Sequence, residues 1–160
     1  MTGTLYTFVY SGIRGPADLD DLFFGYGVDQ VVDVRLRPFG KAPFNGPRAS
    51  ADTCSRAGVA YRWDQRLGNL NYKTGGIRIK NIEAIEDVLD ALRAGDSVAL
   101  MCVCPIPDQC HRLVLCEEAI DRQPGLRVIH LPIRRPAAFL SPDATDEQIE
   151  AFADALLPTP

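Results

Sequence analysis

The sequence has no run of 18 apolar residues, which excludes a transmembrane helix. No basic stretch precedes an apolar core at its start (Met1, Thr2, Gly3, Thr4), so no secretory signal is expected and the chain reads as cytoplasmic. It contains neither a Walker loop nor a G-x-G-x-x-G, which disfavours a P-loop NTPase or an ordinary dinucleotide enzyme. An excess of basic charge is also missing. With 17 Lys and Arg against 21 Asp and Glu, the net charge is −4, which argues against a high-affinity, nonspecific nucleic-acid coat. Five cysteines, an odd number without an export signal, argue against structural disulfides and leave free thiols, a metal or a reactive cysteine.

What is present is one domain's worth of chain: 160 residues, 46% hydrophobic and 24% charged. Such a length buries enough surface to need no metal or disulfide for a core. Strand-like and helix-like segments alternate. Residues 5–10, 28–34, 59–63, 98–103 and 127–131 read as strands, rich in branched and aromatic side chains. Residues 16–26, 49–57, 81–93 and 109–122 read as helices, the third with Ile82, Ile85, Val88, Leu89 and Leu92 on one face before Gly95. This pattern predicts an α/β fold, a three-layer sandwich around a mainly parallel five-stranded sheet, Rossmann-like. Residues 1–135 form the expected domain. Residues 136–160 form an extension with one amphipathic helix, Asp146 to Leu157.

Ligands of such sheets sit beyond the carboxyl ends of the strands. The loops expected there hold Ser11, Arg14, Asp33, Arg35, Arg37, Arg48, Cys104, Cys110, His111 and Arg112, whereas the loops at the opposite edge are short and ordinary. Charge is uneven too: Lys41, Arg48, Arg56, Arg62, Arg66, Lys73, Arg78 and Lys80 face only Asp52 and Asp64 over that stretch, enough to hold an anionic ligand locally. The segment Cys102 to Arg112 (CVCPIPDQCHR) is the sharpest. Cys102 and Cys104 should share a face, and Asp108 as N-cap would place Cys110, His111 and Arg112 in a first helical turn. There the helix dipole and cations would lower a thiol pKa, making Cys110 a candidate nucleophile. Asp33 and Arg35, on one side of a strand end, could orient a guanidinium toward an anion. A phosphatase or rhodanese loop needs an arginine six residues after its cysteine; Asp108, Cys110 and Cys116 stand at that distance from Cys102, Cys104 and Cys110. Zinc pairs usually take the form C-x2-C, whereas one residue separates Cys102 from Cys104. The leading expectation therefore includes no metal and no cofactor, and convergence of Cys102, Cys104, Cys110 and His111 on a metal is the lesser alternative.

Together these segments resemble the domain-of-unknown-function family 488 (DUF488). The resemblance is carried by TFVYSG (Thr7 to Gly12), VDVRLRP (Val32 to Pro38) with Phe44 downstream, a W-x-x-x-LG element (Trp63 to Gly68) and CHR (Cys110 to Arg112) after Cys102. It spans most of residues 4–131 and implies an α/β fold and an intracellular setting, with no firmly established reaction. Carried over by position, it marks Ser11, Asp33, Arg35, Pro38, Cys102, Cys110, His111 and Arg112. Many relatives have an acidic residue where this chain has Cys104, and commonly a serine where it has Gly40. The expectation from residues and resemblance is an enzyme acting on a phosphate-bearing substrate, a nucleotide or nucleic acid. Arg14, Arg35, Arg48 and Arg112 would hold the anion, with Ser11 beside them. Cys110 or His111 would do the chemistry, and Asp33 would orient. Alternatives are a non-catalytic module for an anionic small molecule or nucleic acid, or a thiol-based metal or redox site.

Overall fold

Five short segments dense in Val, Leu, Ile and aromatic residues pair side by side in a computed structural model of the protein. The model describes residues 1–9, 19, 23, 25–39, 46–104 and 110–131. They are β1 (Leu5–Val9), β2 (Gln30–Asp33), β3 (Ala60–Trp63), β4 (Val98–Cys102) and β5 (Val128–His130). The sheet is entirely parallel, in the order β3-β2-β4-β1-β5. The fold is therefore the α/β class that the alternation predicts.

Parallel pairing forces a crossover between successive strands, and right-handed crossovers decide which face each helix covers. The chain moves one way across the sheet from β1 to β3 and the other way from β3 to β5. One face carries α1 (Pro47–Arg56) and helical backbone at Leu19, Phe23, Gly25 and Tyr26; the other carries α2 (Ile85–Ala94) and α3 (His111–Arg122). Two buried clusters follow from strand alternation. Leu5, Val32, Val34, Val98, Leu100 and Cys102 pack with Ile85, Val88, Leu89, Leu92 and Leu115, while Phe8, Val31, Ala99 and Met101 pack with Leu19, Phe23 and Cys54.

The helix expected over 81–93 is split. Asn81 accepts the Glu83 amide (3.1 Å) and starts a 3₁₀ turn, Ile82–Ala84, before α2 begins. Gly95 ends α2 at φ 103°, a left-handed cap that suits glycine. A second 3₁₀ turn, Gln65–Leu67, was not evident in the sequence; Asp64 accepts the Arg66 amide (3.1 Å) at its start. Among the described residues no helix is long and apolar enough to cross a membrane. Ser11, Arg14, Asp108 and the extension 136–160 lie outside the described residues.

β4 lies between β2 and β1, and it marks the reversal: the chain leaves β2 toward one face and β4 toward the other. Such a switch opens a crevice past the carboxyl ends of the strands. Asp33 to Arg37 and Cys102 to Cys104 are therefore brought to one edge.

Candidate metal centre beside an open cleft

Alternation along β4 turns Cys102 and Cys104 the same way, and their sulfurs lie 3.7 Å apart. The start of α3 delivers the other two donors. Cys110, not Asp108, is the N-cap of α3, with extended backbone (φ −96°, ψ 134°), so the helix begins at His111. This corrects the expected placement of Cys110 within the first turn, since its side chain turns back toward the strand ends instead. His111 Nδ1 is 3.7 Å from Cys102 Sγ, and the three sulfurs and this nitrogen all lie within 4.8 Å of one another. A tetrahedral ion with metal–sulfur bonds of about 2.3 Å and a metal–nitrogen bond of about 2.1 Å has donor–donor edges of about 3.6–3.8 Å. The edges from Cys102 to Cys104 and to His111 fall in that range. The one-residue spacing of Cys102 and Cys104, which spoke against zinc, is the spacing a strand end can use.

The imidazole is held for this role. Nε2 donates to the Val34 carbonyl (2.8 Å), which can only accept, and Nδ1 is left to face the sulfurs. Arg112 Nε donates to Cys110 Sγ (3.1 Å), and the guanidinium is almost completely buried. Its charge offsets that of a thiolate.

Without an ion the group divides its protons. The Cys102 thiol is pushed up, because it donates to the neighbouring Cys104 and Cys110 sulfurs and is buried. Cys104 is held down to about 5 by hydrogen bonds from Cys102 and His111, against desolvation. Cys110 is held down to about 3 by the bond from Cys102, opposed by burial and reinforced by His111 and Arg112. Burial would lower His111, but its bonds to Cys104, Cys110 and Val34 outweigh that and raise it to about 9. Two thiolates thus face one imidazolium and one guanidinium, with the Cys102 proton shared between them. Cys116, one turn farther along α3, is raised to about 12 by burial and stays a core thiol.

An open cleft of about 640 Å³ adjoins the cluster. One wall is Arg35, Leu36 and Arg37 after β2, and its base is Cys102, Cys104 and His111. Another wall is the 69–79 loop. Asn69 organises it: Oδ1 accepts from Asn71 N (3.0 Å) and Arg78 N (2.9 Å), while Nδ2 donates to Gly76 O (3.2 Å). Gly75 and Gly76 adopt φ of 86° and 77°, which allows the tight return to the Asn69–Ile79 bridge. The nearby glycine pair and asparagines were the available signal.

The remaining expected site residues separate. Asp33 and Arg35 do pair, and both are buried: Arg35 Nε and Nη2 donate to Asp33 Oδ1 (2.8 Å) and Oδ2 (2.6 Å), and Tyr61 OH donates to Oδ2 (2.7 Å). The guanidinium therefore serves the carboxylate. Tyr61 has its pKa raised by burial and by the Asp33 charge. Arg48 is exposed on α1 and does not line the cleft, and Arg112 serves Cys110. Of the cleft cations, Arg37 is exposed and forms no ion pair among the described residues. No family model matches the chain, and no curated protein matches it.

Proposed function

We propose that the chain is an enzyme built around a zinc-class ion held by Cys102, Cys104, Cys110 and His111, acting on a phosphate-bearing substrate in the adjoining cleft. One observation carries the reading: four N and S donors within 4.8 Å of one another, with the edges from Cys102 to Cys104 and to His111 both 3.7 Å, close to those of a tetrahedral ion. The Val34 carbonyl behind His111 and the guanidinium behind Cys110 are the supporting partners that metal ligands usually have. Position favours a working site over a staple, because the cluster forms the base of a cleft at the switch in strand order. A substrate that carries or releases negative charge is supported by Arg37 on the cleft wall and by Lys73, Arg78 and Lys80, which follow one another in the adjoining segment with no acid between Asp64 and Glu83. Tyr72, on the cleft wall and exposed, offers a face on which a base could stack.

A second reading, a metal-free Cys110 nucleophile, draws on the Arg112 contact and the low Cys110 pKa. Burial decides against it. Cys110 is 0% exposed, and a nucleophile must touch its substrate.

The test is metal content of the full chain, followed by titration of the stripped protein with Co²⁺. About one ion per chain and the visible absorption of tetrahedral cobalt thiolate are expected, both lost in Cys102→Ala and His111→Ala. Stripped, folded protein that binds neither Zn²⁺ nor Co²⁺ at micromolar concentration would overturn the proposal.

A further inference from the structure

The four donors differ in what surrounds them. Cys102 is 1% exposed, Cys110 0% and His111 4%, so three are almost wholly buried, although Cys102 and His111 reach the cleft base. Cys104 is half-buried and lines the cleft. The sulfurs also differ in how far their lone pairs are engaged. Arg112 donates to Cys110, whereas among the described residues no arginine or lysine donates to Cys104. Three thiolates and one neutral imidazole on a divalent ion leave a net negative, electron-rich centre. A coordinated thiol is deprotonated outright, and the thiolate is the nucleophilic form. Accessibility and the lack, among the described residues, of a guanidinium donor such as Arg112 gives Cys110 both single out Cys104.

The space in front of this sulfur is mixed. Leu36, Val103 and Ile77 present apolar surface, and Arg37 supplies a positive charge at the same wall. An uncharged ester whose cleavage releases an oxyanion fits both properties.

We infer that Cys104 is a metal-held thiolate that accepts an alkyl group from an alkyl phosphotriester entering the cleft. The inference rests on the metal centre proposed above and names the reaction at that centre. A Cys104 lone pair forms the S–C bond as the C–O bond of the ester breaks, and that bonding pair leaves on oxygen. The phosphodiester anion so formed is offset by Arg37. The sulfur ends as a thioether, the centre loses its net negative charge, and no proton, oxidant or reductant is needed. Each chain accepts one alkyl group.

The experiment uses zinc-loaded full chain treated with iodoacetamide, or with trimethyl phosphate, and maps adducts on each cysteine by peptide mass spectrometry with zinc measured in parallel. Cys104 is expected to be alkylated by iodoacetamide about tenfold or more faster than the other four cysteines. It is also expected to take a methyl group from trimethyl phosphate. Zinc stays bound, and Cys104→Ser takes up neither group. Arg37→Gln is expected to slow methylation by the phosphate ester. Zinc-loaded protein whose Cys104 takes no methyl group from trimethyl phosphate, or reacts with iodoacetamide no faster than free glutathione at the same pH, or whose adducts fall on Cys102 or Cys110, overturns the inference and leaves the metal centre standing. Protein that binds no zinc overturns both.

Discussion

The Asp33–Arg35 pair gives a test of the scaffold that does not depend on any reaction. The carboxylate is 0% exposed and accepts from Arg35 Nε, Nη2 and the Arg35 amide (3.1 Å), and from the Tyr61 hydroxyl. Arg35→Met removes two of these donors and the only opposite charge among them, yet keeps the length of the side chain. Breaking a buried pair from one side costs about 3–5 kcal/mol, because the remaining charge is left uncompensated. For a chain of this length each kcal/mol lowers Tm by about 2–4 °C, so the expected fall is roughly 6–20 °C. Urea unfolding followed by circular dichroism would measure the loss, and Asp33→Asn should give one of similar size. The double variant should be less destabilised than the sum of the two by about 2 kcal/mol or more. A loss below about 1 kcal/mol for Arg35→Met, or strict additivity, would refute the picture of a buried ionised pair. The pair also fixes the turn that carries the Val34 carbonyl, so the expected role of Asp33 is to support the site and not to touch substrate.

Metal binding at neutral pH should release about two protons per ion, one each from Cys102 and His111, both protonated there without metal. Calorimetry in buffers of different ionisation enthalpy would count them; release near zero would contradict the proton arrangement described for the empty cluster. Gly68→Ala should cost about 1–3 kcal/mol, because a methyl group there meets Leu36 Cα at 2.7 Å and Leu36 N at 2.9 Å; a neutral outcome in chemical denaturation would show that the cleft wall yields freely. Burial would raise the Asp64 carboxyl, but hydrogen bonds from Arg66 and the charges of Arg62 and Arg66 outweigh it and hold it below its usual value. Its stabilising contribution is therefore complete above the unfolded carboxylate pKa of about 3.9 and lost as pH falls through the lower folded value. The stability gap between wild type and Asp64→Asn should narrow below about pH 4, and a gap constant from pH 7 to pH 3 would count against this assignment.

Local pattern carried most of the fold. Ile85, Val88, Leu89 and Leu92 mark the buried stripe of α2, and the branched runs at β1, β2 and β4 mark strands, because each side chain's burial follows from period alone. Strand order was not legible, since inserting β4 between β2 and β1 is a choice among long-range pairings. The carboxyl-edge rim was found for a topological reason, but its internal wiring was not. Arg35 and Arg112 looked like anion ligands because the sequence does not reveal that Asp33 and the Cys110 sulfur already engage them. Cys102, Cys104, Cys110 and His111 are all legible as possible donors, but C-x-C departs from the usual C-x2-C pair, whereas a strand end brings the two sulfurs together through pleating. Asn69 escaped notice because its importance lies in three hydrogen bonds across one turn of chain.

The central place of β4 also sets the order in which the protein can come together. Among the first three strands only β2 and β3 are neighbours; β1 joins them through β4. A chain emerging from the ribosome can zip that one pair early, but the sheet stays in two pieces until residues 98–102 slot between them. Such late, non-local closure makes for slow folding. Val34, Cys102 and His111 meet only after this step, so capture of the proposed ion would be coupled to late assembly and not to its nucleation. The thiols spend the interval unguarded, and an oxidising encounter then would damage the centre before it exists.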